Sequence, residues 1–202
     1  EQDGICYVKW LFTITWYTTK EQEQKMDETV ADCLQKLSLN GLSDDEKVQK
    51  IYDYICKNVV YDFENYQNDS YKLKYTAYAA LLNHRAVCQG YALLFYRLVL
   101  EEQIDTRLIA GTGNGESHGW NIVRLDGKYY NLDTTWDASG VQAGNGKRYF
   151  LKSAQDFPNH VRDEEYDTEE FNQEYPMTDT SYAQDVDAPR ITADSSMRSG
   201  QN

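Results

Sequence analysis

The 202-residue chain has no long hydrophobic run, no excess of basic residues and no CxxC cysteine pair. A membrane-spanning helix needs about 20 apolar residues, and the longest candidate here, residues 10–16, is interrupted by threonines and is typical of a strand. The net charge of −13 and a pI near 4.6 exclude the basic surface that phosphate binding requires. We therefore expect neither a membrane span nor a nucleic-acid partner.

The cysteines and histidines do not form a metal-ligand pattern. The four cysteines stand at positions 6, 33, 56 and 88, without the spacing of a zinc or thioredoxin motif. Cys33 and Cys56 fall on apolar faces of predicted helices, which is typical of buried free thiols. The three histidines are scattered, and no acidic segment has EF-hand spacing. We expect no metal and no cofactor.

The length and the 41% hydrophobic content fit one domain with a substantial core. Because the chain begins at Glu1 and shows no signal peptide, we interpret it as a processed product or a piece of a longer protein. We predict that residues 1–42 form a strand and a helix ending a preceding region and contacting the core. Residues 43–176 would form the catalytic domain, and the acidic residues 177–202 a poorly ordered or wrapping tail.

Hydrophobic periodicity and capping signals predict a mixture of helices and strands. The predicted helices are 19–39, 43–58, 76–82 and 88–102, and the predicted strands are 9–18, 106–111, 118–125, 128–135 and 148–151. Residues 61–74 are interpreted as a tyrosine-rich loop and 111–115 as a glycine-rich loop. Asp126-Gly127 is the dipeptide favoured in a type I′ hairpin turn.

Three residues form a candidate nucleophilic site. Cys88 starts a predicted helix within the segment 87–92 (VCQGYA), His118 follows 30 residues later, and Asp133 follows 15 residues after that. The positive end of a helix dipole favours a thiolate over a thiol, so a cysteine at a helix start is suited to be a nucleophile. Histidine and aspartate are the partners that activate and orient such a group.

The predicted hairpin brings two of these residues together. A two-residue turn pairs Leu125 with Lys128, and continuing the register places Trp120 opposite Asp133 and His118 opposite Thr135. His118 and Asp133 would then be diagonal neighbours on one face, about 7–8 Å apart at Cα. An imidazole and a carboxylate can bridge that distance with one hydrogen bond. A shift of one residue would place them on opposite faces.

The roles follow from the chemistry of these groups. We expect His118 to take the proton of Cys88, or to form a thiolate–imidazolium pair with it, and later to protonate the leaving amine. Asp133 would fix the tautomer and orientation of the ring. The backbone N–H of Cys88 is a candidate oxyanion donor.

Simpler interpretations exist for each residue taken alone. Cys88 could be a buried core residue, His118 could be structural, and Asp133 could cap a strand. Chain order, hairpin register and helix start agree, however, and together they favour a catalytic site. His84 and His160 are competing candidates for the base. His84 is too close to Cys88 in sequence and His160 lies in the acidic C-terminal region, so we interpret both as structural or surface residues.

Eight segments of the sequence resemble those of the bacterial transglutaminase-like superfamily. The resemblance covers roughly residues 43–152 and is carried by segments at 51–55 (IYDYI), 60–62 (VYD), 75–78 (YTAY), 87–92 (VCQGYA), 118–121 (HGWN), 125–130 (LDGKYY), 133–137 (DTTWD) and 149–151 (YFL). Gly119 departs from the pattern, where alanine is expected. The resemblance implies an α+β, papain-like core in which the nucleophile helix contacts an antiparallel sheet carrying the histidine and the aspartate.

The same resemblance implies acyl transfer at a thiol and leaves three functions open. The first is a cysteine peptidase or amidase acting on protein or peptide, which the small size of the chain and the lack of an evident lysine-binding tunnel favour. The second is a cross-linking transglutaminase, and the third is a non-catalytic cell-surface module that binds peptide or glycan. Tyr61, Trp120 and Trp136 are candidate substrate contacts. We expect an exported or surface-anchored bacterial protein.

Overall fold

The computed structural model describes residues 8–182. Six α-helices lie within this range: α1 Lys20–Leu37, α2 Asp44–Asn58, α3 Ala77–Leu82, α4 Cys88–Glu101, α5 Thr134–Gln142 and α6 Glu169–Glu174. The six strands are β1 Val60–Tyr61, β2 Arg85–Ala86, β3 Thr106–Gly113, β4 Glu116–Leu125, β5 Lys128–Leu132 and β6 His160–Arg162. Two short 3₁₀ helices, Lys72–Tyr75 and Glu164–Tyr166, complete the order. No helix in the described part is long and apolar enough to cross a membrane.

The main sheet has four antiparallel strands in the order β5-β4-β3-β6, and β1 and β2 form a separate parallel pair. Asp126 and Gly127 both have positive φ, and Leu125 pairs with Lys128, so the predicted two-residue turn is confirmed. The predicted register holds as far as Asn121 opposite Leu132, whereas Thr135, predicted opposite His118, belongs to α5. A second two-residue turn, Asn114-Gly115, joins β3 to β4. The glycine-rich segment predicted as a loop is therefore the end of a strand and a tight turn.

Helix α4 is central, in contact with β3 and β4 and with helices α2, α3 and α5. Its buried apolar residues join those of the other helices in the main core, which includes Val48, Ile51, Ile55, Phe95 and Leu98. Because side chains alternate along a strand, the other face of the sheet carries a second cluster of Ile109, Trp120, Ile122, Tyr129 and Phe157. The fold class is the α+β arrangement predicted from the sequence.

Two predicted strands are wrong, and a third is too long. Residues 8–16 have no regular structure, and their large apolar side chains, among them Trp10 and Phe12, are exposed. High β-propensity is insufficient there because a strand needs a neighbouring strand to take its backbone hydrogen bonds. The predicted strand 128–135 ends at Leu132, and Asp133 starts helix α5 instead.

The second wrong strand is 148–151. The backbone N–H groups of Arg148 and Tyr149 donate to the carboxylate of Asp137, at 2.7 and 3.0 Å, so they are not available for a ladder. Of the predicted tail, Met177 bridges to Tyr129 and Ser181 is buried, so residues 177–182 lie against the sheet and the core. Residues 183–202 lie outside the described residues.

Candidate active site

Cys88 is the first residue of α4 and is partly exposed. The first turn of α4 lies very close to the backbone of the residues that precede it. A Cβ on Gly90 would lie 2.6 Å from the Ala86 Cβ and 3.0 Å from the carbonyl oxygens of Lys74 and Thr76. Only glycine allows this approach, which fixes where the helix begins and hence where the thiol points.

His118 lies on β4 and is 9% exposed. Its Nε2 is 2.8 Å from Oδ2 of Asp133, which leaves Nδ1 as the ring nitrogen available to the Cys88 thiol. The Cys88 side chain also lies close enough to the His118 ring to raise its pKa. The structure thus brings together the three residues that the sequence selected, in the order thiol, imidazole, carboxylate.

Asp133 has two functions, one for each carboxylate oxygen. Its Oδ1 accepts the backbone N–H groups of Thr135 and Trp136, at 2.8 and 3.1 Å, and so caps α5. Its Oδ2 faces His118. The hydroxyl of Tyr52 contacts the Asp133 carbonyl oxygen and Oδ2 of Asp137, at 2.7 Å each. The helix cap and the buried tyrosine together hold the aspartate in place.

His160 also lies in this site, so its interpretation as a surface residue is wrong. Its side chain is 1% exposed, and its Nε2 is 3.2 Å from the same Oδ2 of Asp133. His160 is on β6, at the edge of the sheet beside β3. By contrast, His84 is exposed and has a positive φ, typical of a surface turn.

His118 and Asp133 each shift the pKa of the other in the direction that favours its charged form. Burial lowers the pKa of His118, but hydrogen bonds to Asp133 and Cys88 outweigh it and raise that pKa to about 9. Burial likewise raises the pKa of Asp133, but hydrogen bonds from His118 and His160 outweigh it and hold the pKa below its ordinary value. At neutral pH the site therefore contains a carboxylate and an imidazolium.

The same groups could in principle coordinate a metal ion. Within the described chain, one ligand atom each from His118, Asp133 and His160 lies within 4.8 Å of the others. This cluster was not expected, because the histidines are far apart in sequence. Coordination would require both rings to give up their hydrogen bonds to Oδ2, since a ligating nitrogen needs a free lone pair. We therefore treat the cluster as a hydrogen-bonded network.

A cleft of about 1070 Å³ adjoins the site, with His118 among its lining residues. Tyr61 and Trp136, two of the predicted substrate contacts, also line it. Burial raises the pKa of the Tyr61 hydroxyl, and negative charge on the Cys88 sulfur raises it further. Trp120, the third predicted contact, is only 1% exposed and lies beneath the site, where it cannot touch a bound substrate.

A buried lysine supports one wall of this cleft. Nζ of Lys74, fully buried in the first 3₁₀ helix, donates to the backbone carbonyls of Asn65, Tyr66 and Asn68 at 2.6, 2.7 and 3.0 Å. These bonds hold the tyrosine-rich loop. The sequence contains no sign of this role, because lysines in polar loops are usually exposed.

Comparison with known proteins decides the family. Residues 31–134 match the family model of the transglutaminase-like superfamily, a range that contains Cys88, His118 and Asp133. This chain belongs to the transglutaminase-like superfamily. The resemblance seen in the sequence is thereby confirmed at the level of the superfamily.

Two curated proteins and one solved structure are similar to part of this chain. The chain is 32% identical over 139 residues to the kyphoscoliosis peptidase of Mus musculus and 31% identical over 139 residues to that of Homo sapiens. Each match covers 62% of this chain and 20% of the relative, so the chain spans about a fifth of the length of these curated relatives. The crystal structure of a TGase has a TM-score of 0.52 at 22% identity, covering 58% of this chain and 34% of that one. This last likeness supports the fold.

The departure from alanine at Gly119 has no steric cause in the structure. A Cβ at this position would meet only the Ile109 carbonyl oxygen, at 3.6 Å, which is an ordinary contact. The alanine expected from the resemblance would therefore fit, and the glycine leaves the neighbouring His118 undisturbed.

Proposed function

We propose that this chain is a thiol-dependent acyl-transfer enzyme that hydrolyses amide bonds in proteins or peptides. Cys88 is the nucleophile, His118 the general base and acid, and Asp133 the residue that orients the imidazole. The observation that carries the proposal is the arrangement around His118, which bonds Asp133 through Nε2 at 2.8 Å and contacts Cys88. A purely structural histidine would not need a thiol on one side and a capped carboxylate on the other.

The steps follow from these positions. The Cys88 thiolate attacks the amide carbonyl carbon, and the resulting oxyanion is stabilised by backbone N–H groups at the start of α4, which have no intrahelical acceptor. The C–N bond then breaks as the His118 imidazolium protonates the leaving amine. This leaves a thioester and a neutral ring. His118 next takes a proton from water as the hydroxide attacks the thioester, the C–S bond breaks, and the carboxylic acid leaves while the Cys88 thiolate and the His118 imidazolium are restored.

The lining of the cleft favours a peptide as the substrate, and the name of the curated relatives favours water as the acyl acceptor. The aromatic side chains of Tyr61 and Trp136 line the cleft of about 1070 Å³ and are available to contact a peptide. The mouse and human relatives are named peptidases. The indole of Trp136 also stacks on the His118 ring, with centroids 5.0 Å apart, so a substrate that contacts this tryptophan lies beside the base.

The test is incubation of the protein with an unfolded protein and a fluorescent primary amine, followed by mass spectrometry. We expect cleaved peptides from the parent and none from Cys88→Ala or His118→Ala. Asp133→Asn should retain more activity than either, because it loses orientation and not the nucleophile or the base. Cys33→Ser, which alters a buried thiol on α1, is the matched control and should cleave like the parent.

Two other results would contradict the proposal in different ways. Incorporation of the amine in preference to cleavage would assign the chain to cross-linking. Binding of peptide by both the parent and Cys88→Ala, without any product, would assign it to the non-catalytic class. Circular dichroism of each variant shows whether the fold is retained, so that a lost activity can be attributed to chemistry.

A further inference from the structure

Two imidazoles share one carboxylate oxygen in this site. Nε2 of His118 and Nε2 of His160 lie 2.8 and 3.2 Å from Oδ2 of Asp133, and the ring centroids are 5.5 Å apart. The catalytic scheme above uses only His118. His160 is therefore a buried polar group in contact with the machinery that still needs an explanation.

Two glycines on β3 allow the two rings to converge. β3 lies between the strands that carry them, and Gly111 pairs with His118 while Gly113 pairs with His160. All four residues thus face the same side of the sheet. A Cβ on Gly113 would lie 3.0 Å from the His118 ring, and one on Gly111 would lie 2.1 Å from the Val161 carbonyl oxygen. Any side chain at these positions would push the histidines or their strands apart.

Both ring nitrogens of His160 face oxygen atoms. Its Nδ1 is 3.0 Å from the Pro158 carbonyl oxygen, and its Nε2 faces Oδ2 of Asp133. Aromatic rings enclose the imidazole and hold it in place: the centroid distances are 3.9 Å to Phe157, 4.3 Å to Trp136, 5.0 Å to Trp120 and 5.5 Å to Tyr149.

With His160 in place, the carboxylate of Asp133 accepts from four donors. Oδ1 accepts hydrogen bonds from two backbone N–H groups, and Oδ2 accepts hydrogen bonds from two imidazoles. The carboxylate therefore cannot rotate or shift without losing at least one of these hydrogen bonds. We propose that His160 is a positioning residue that holds Asp133 in the orientation in which it presents the His118 ring to Cys88. This inference rests on the proposed function, because it assigns a role within the same site.

The test compares two substitutions that differ in the hydrogen bond. His160→Phe keeps an aromatic ring in the cage but has no donor, whereas His160→Gln keeps an N–H donor for Asp133. The measured quantity is the rate of Cys88 alkylation by iodoacetamide at pH 7, followed at the Cys88 peptide by mass spectrometry. His118→Ala sets the rate of an unassisted thiol, and His84→Asn, which changes an exposed histidine, is the matched control.

We expect His160→Phe to slow alkylation about tenfold or more, the order associated with losing one charge-assisted hydrogen bond. His160→Gln should restore most of the rate, and His84→Asn should react like the parent. With a substrate in hand, His160→Phe should lower kcat and leave KM nearly unchanged, because His160 does not line the cleft.

Failure of this inference and failure of the proposed function give different results. Equal alkylation rates in the parent and His118→Ala would overturn the proposed function and, with it, the role of His160. A parent rate that depends on His118 but is unchanged in His160→Phe would overturn the role of His160 alone. Equal losses in the Phe and Gln variants, accompanied by equally lowered melting temperatures, would also overturn it, because His160 would then be needed only for packing.

Discussion

Titration of His118 is expected to change the stability of the fold between neutral and alkaline pH. The ring has an ordinary pKa of 6.5, and in the folded protein its pKa is raised to about 9. Burial acts against this rise, and hydrogen bonds to Asp133 and Cys88 produce it. The folded state therefore holds a proton that the unfolded state releases at a lower pH.

The sign and size of the effect follow from linkage. Below pH 6.5 both states bind the proton, and the full contribution to stability is present. As the pH rises through about 9 the folded state also loses the proton, and the contribution disappears. The difference between the two pKa values corresponds to about 3 kcal/mol of unfolding free energy, since one pKa unit is about 1.4 kcal/mol.

Two measurements test this expectation. The chain has three histidines, so the ring C–H resonances can be assigned by single substitutions and titrated directly by NMR. Urea unfolding of the parent and of His118→Gln at pH 6 and pH 9.5 then gives the change in unfolding free energy for each protein. Subtracting one change from the other removes the shared contribution of tyrosine and lysine ionisation.

We expect the parent to lose about 3 kcal/mol more than His118→Gln between these pH values. Asp133→Asn should move the His118 titration toward neutral pH, because it removes the charge that favours the imidazolium. A His118 resonance that titrates near 6.5 in the parent, or an equal loss of stability in parent and variant, would refute the reasoning.

The remaining predictions concern packing around the site. Gly113→Ala should cost about 1–3 kcal/mol and slow Cys88 alkylation, because its Cβ would lie 2.7 Å from the Trp136 ring and 3.0 Å from the His118 ring. Gly119→Ala, with its nearest contact at 3.6 Å, is the matched control and should change stability by less than about 0.5 kcal/mol in urea unfolding. Lys74→Met should cost about 3 kcal/mol, because three backbone carbonyls lose a charged donor that is itself buried. Limited proteolysis should then cut the tyrosine-rich loop faster, and unchanged cleavage would show that Lys74 does not hold it.

The elements that the sequence predicted correctly are those set by nearby residues. The second helix begins at its predicted position because Ser43 and Glu46 form a capping box in which they bond reciprocally. The hairpin register follows from the two positive-φ residues of the Asp126-Gly127 turn. Because that register is local, it was enough to bring His118 and Asp133 together, although Asp133 belongs to a helix start and not to a strand.

The sequence by itself thus determined the family, the α+β class and the order of Cys88, His118 and Asp133, since turns, caps and motifs depend on residues close in the chain. Only the tertiary structure decided that His160 contacts the same carboxylate, that Trp120 is buried beneath the site, and that residues 8–16 form no strand. Each of these depends on which distant segment lies alongside. β6 has three residues and carries His160 to Asp133 only by pairing with β3, some fifty residues earlier in the chain. A hydrophobic periodicity in the sequence shows which face of a helix or strand is buried, but it does not show which other element packs against that face.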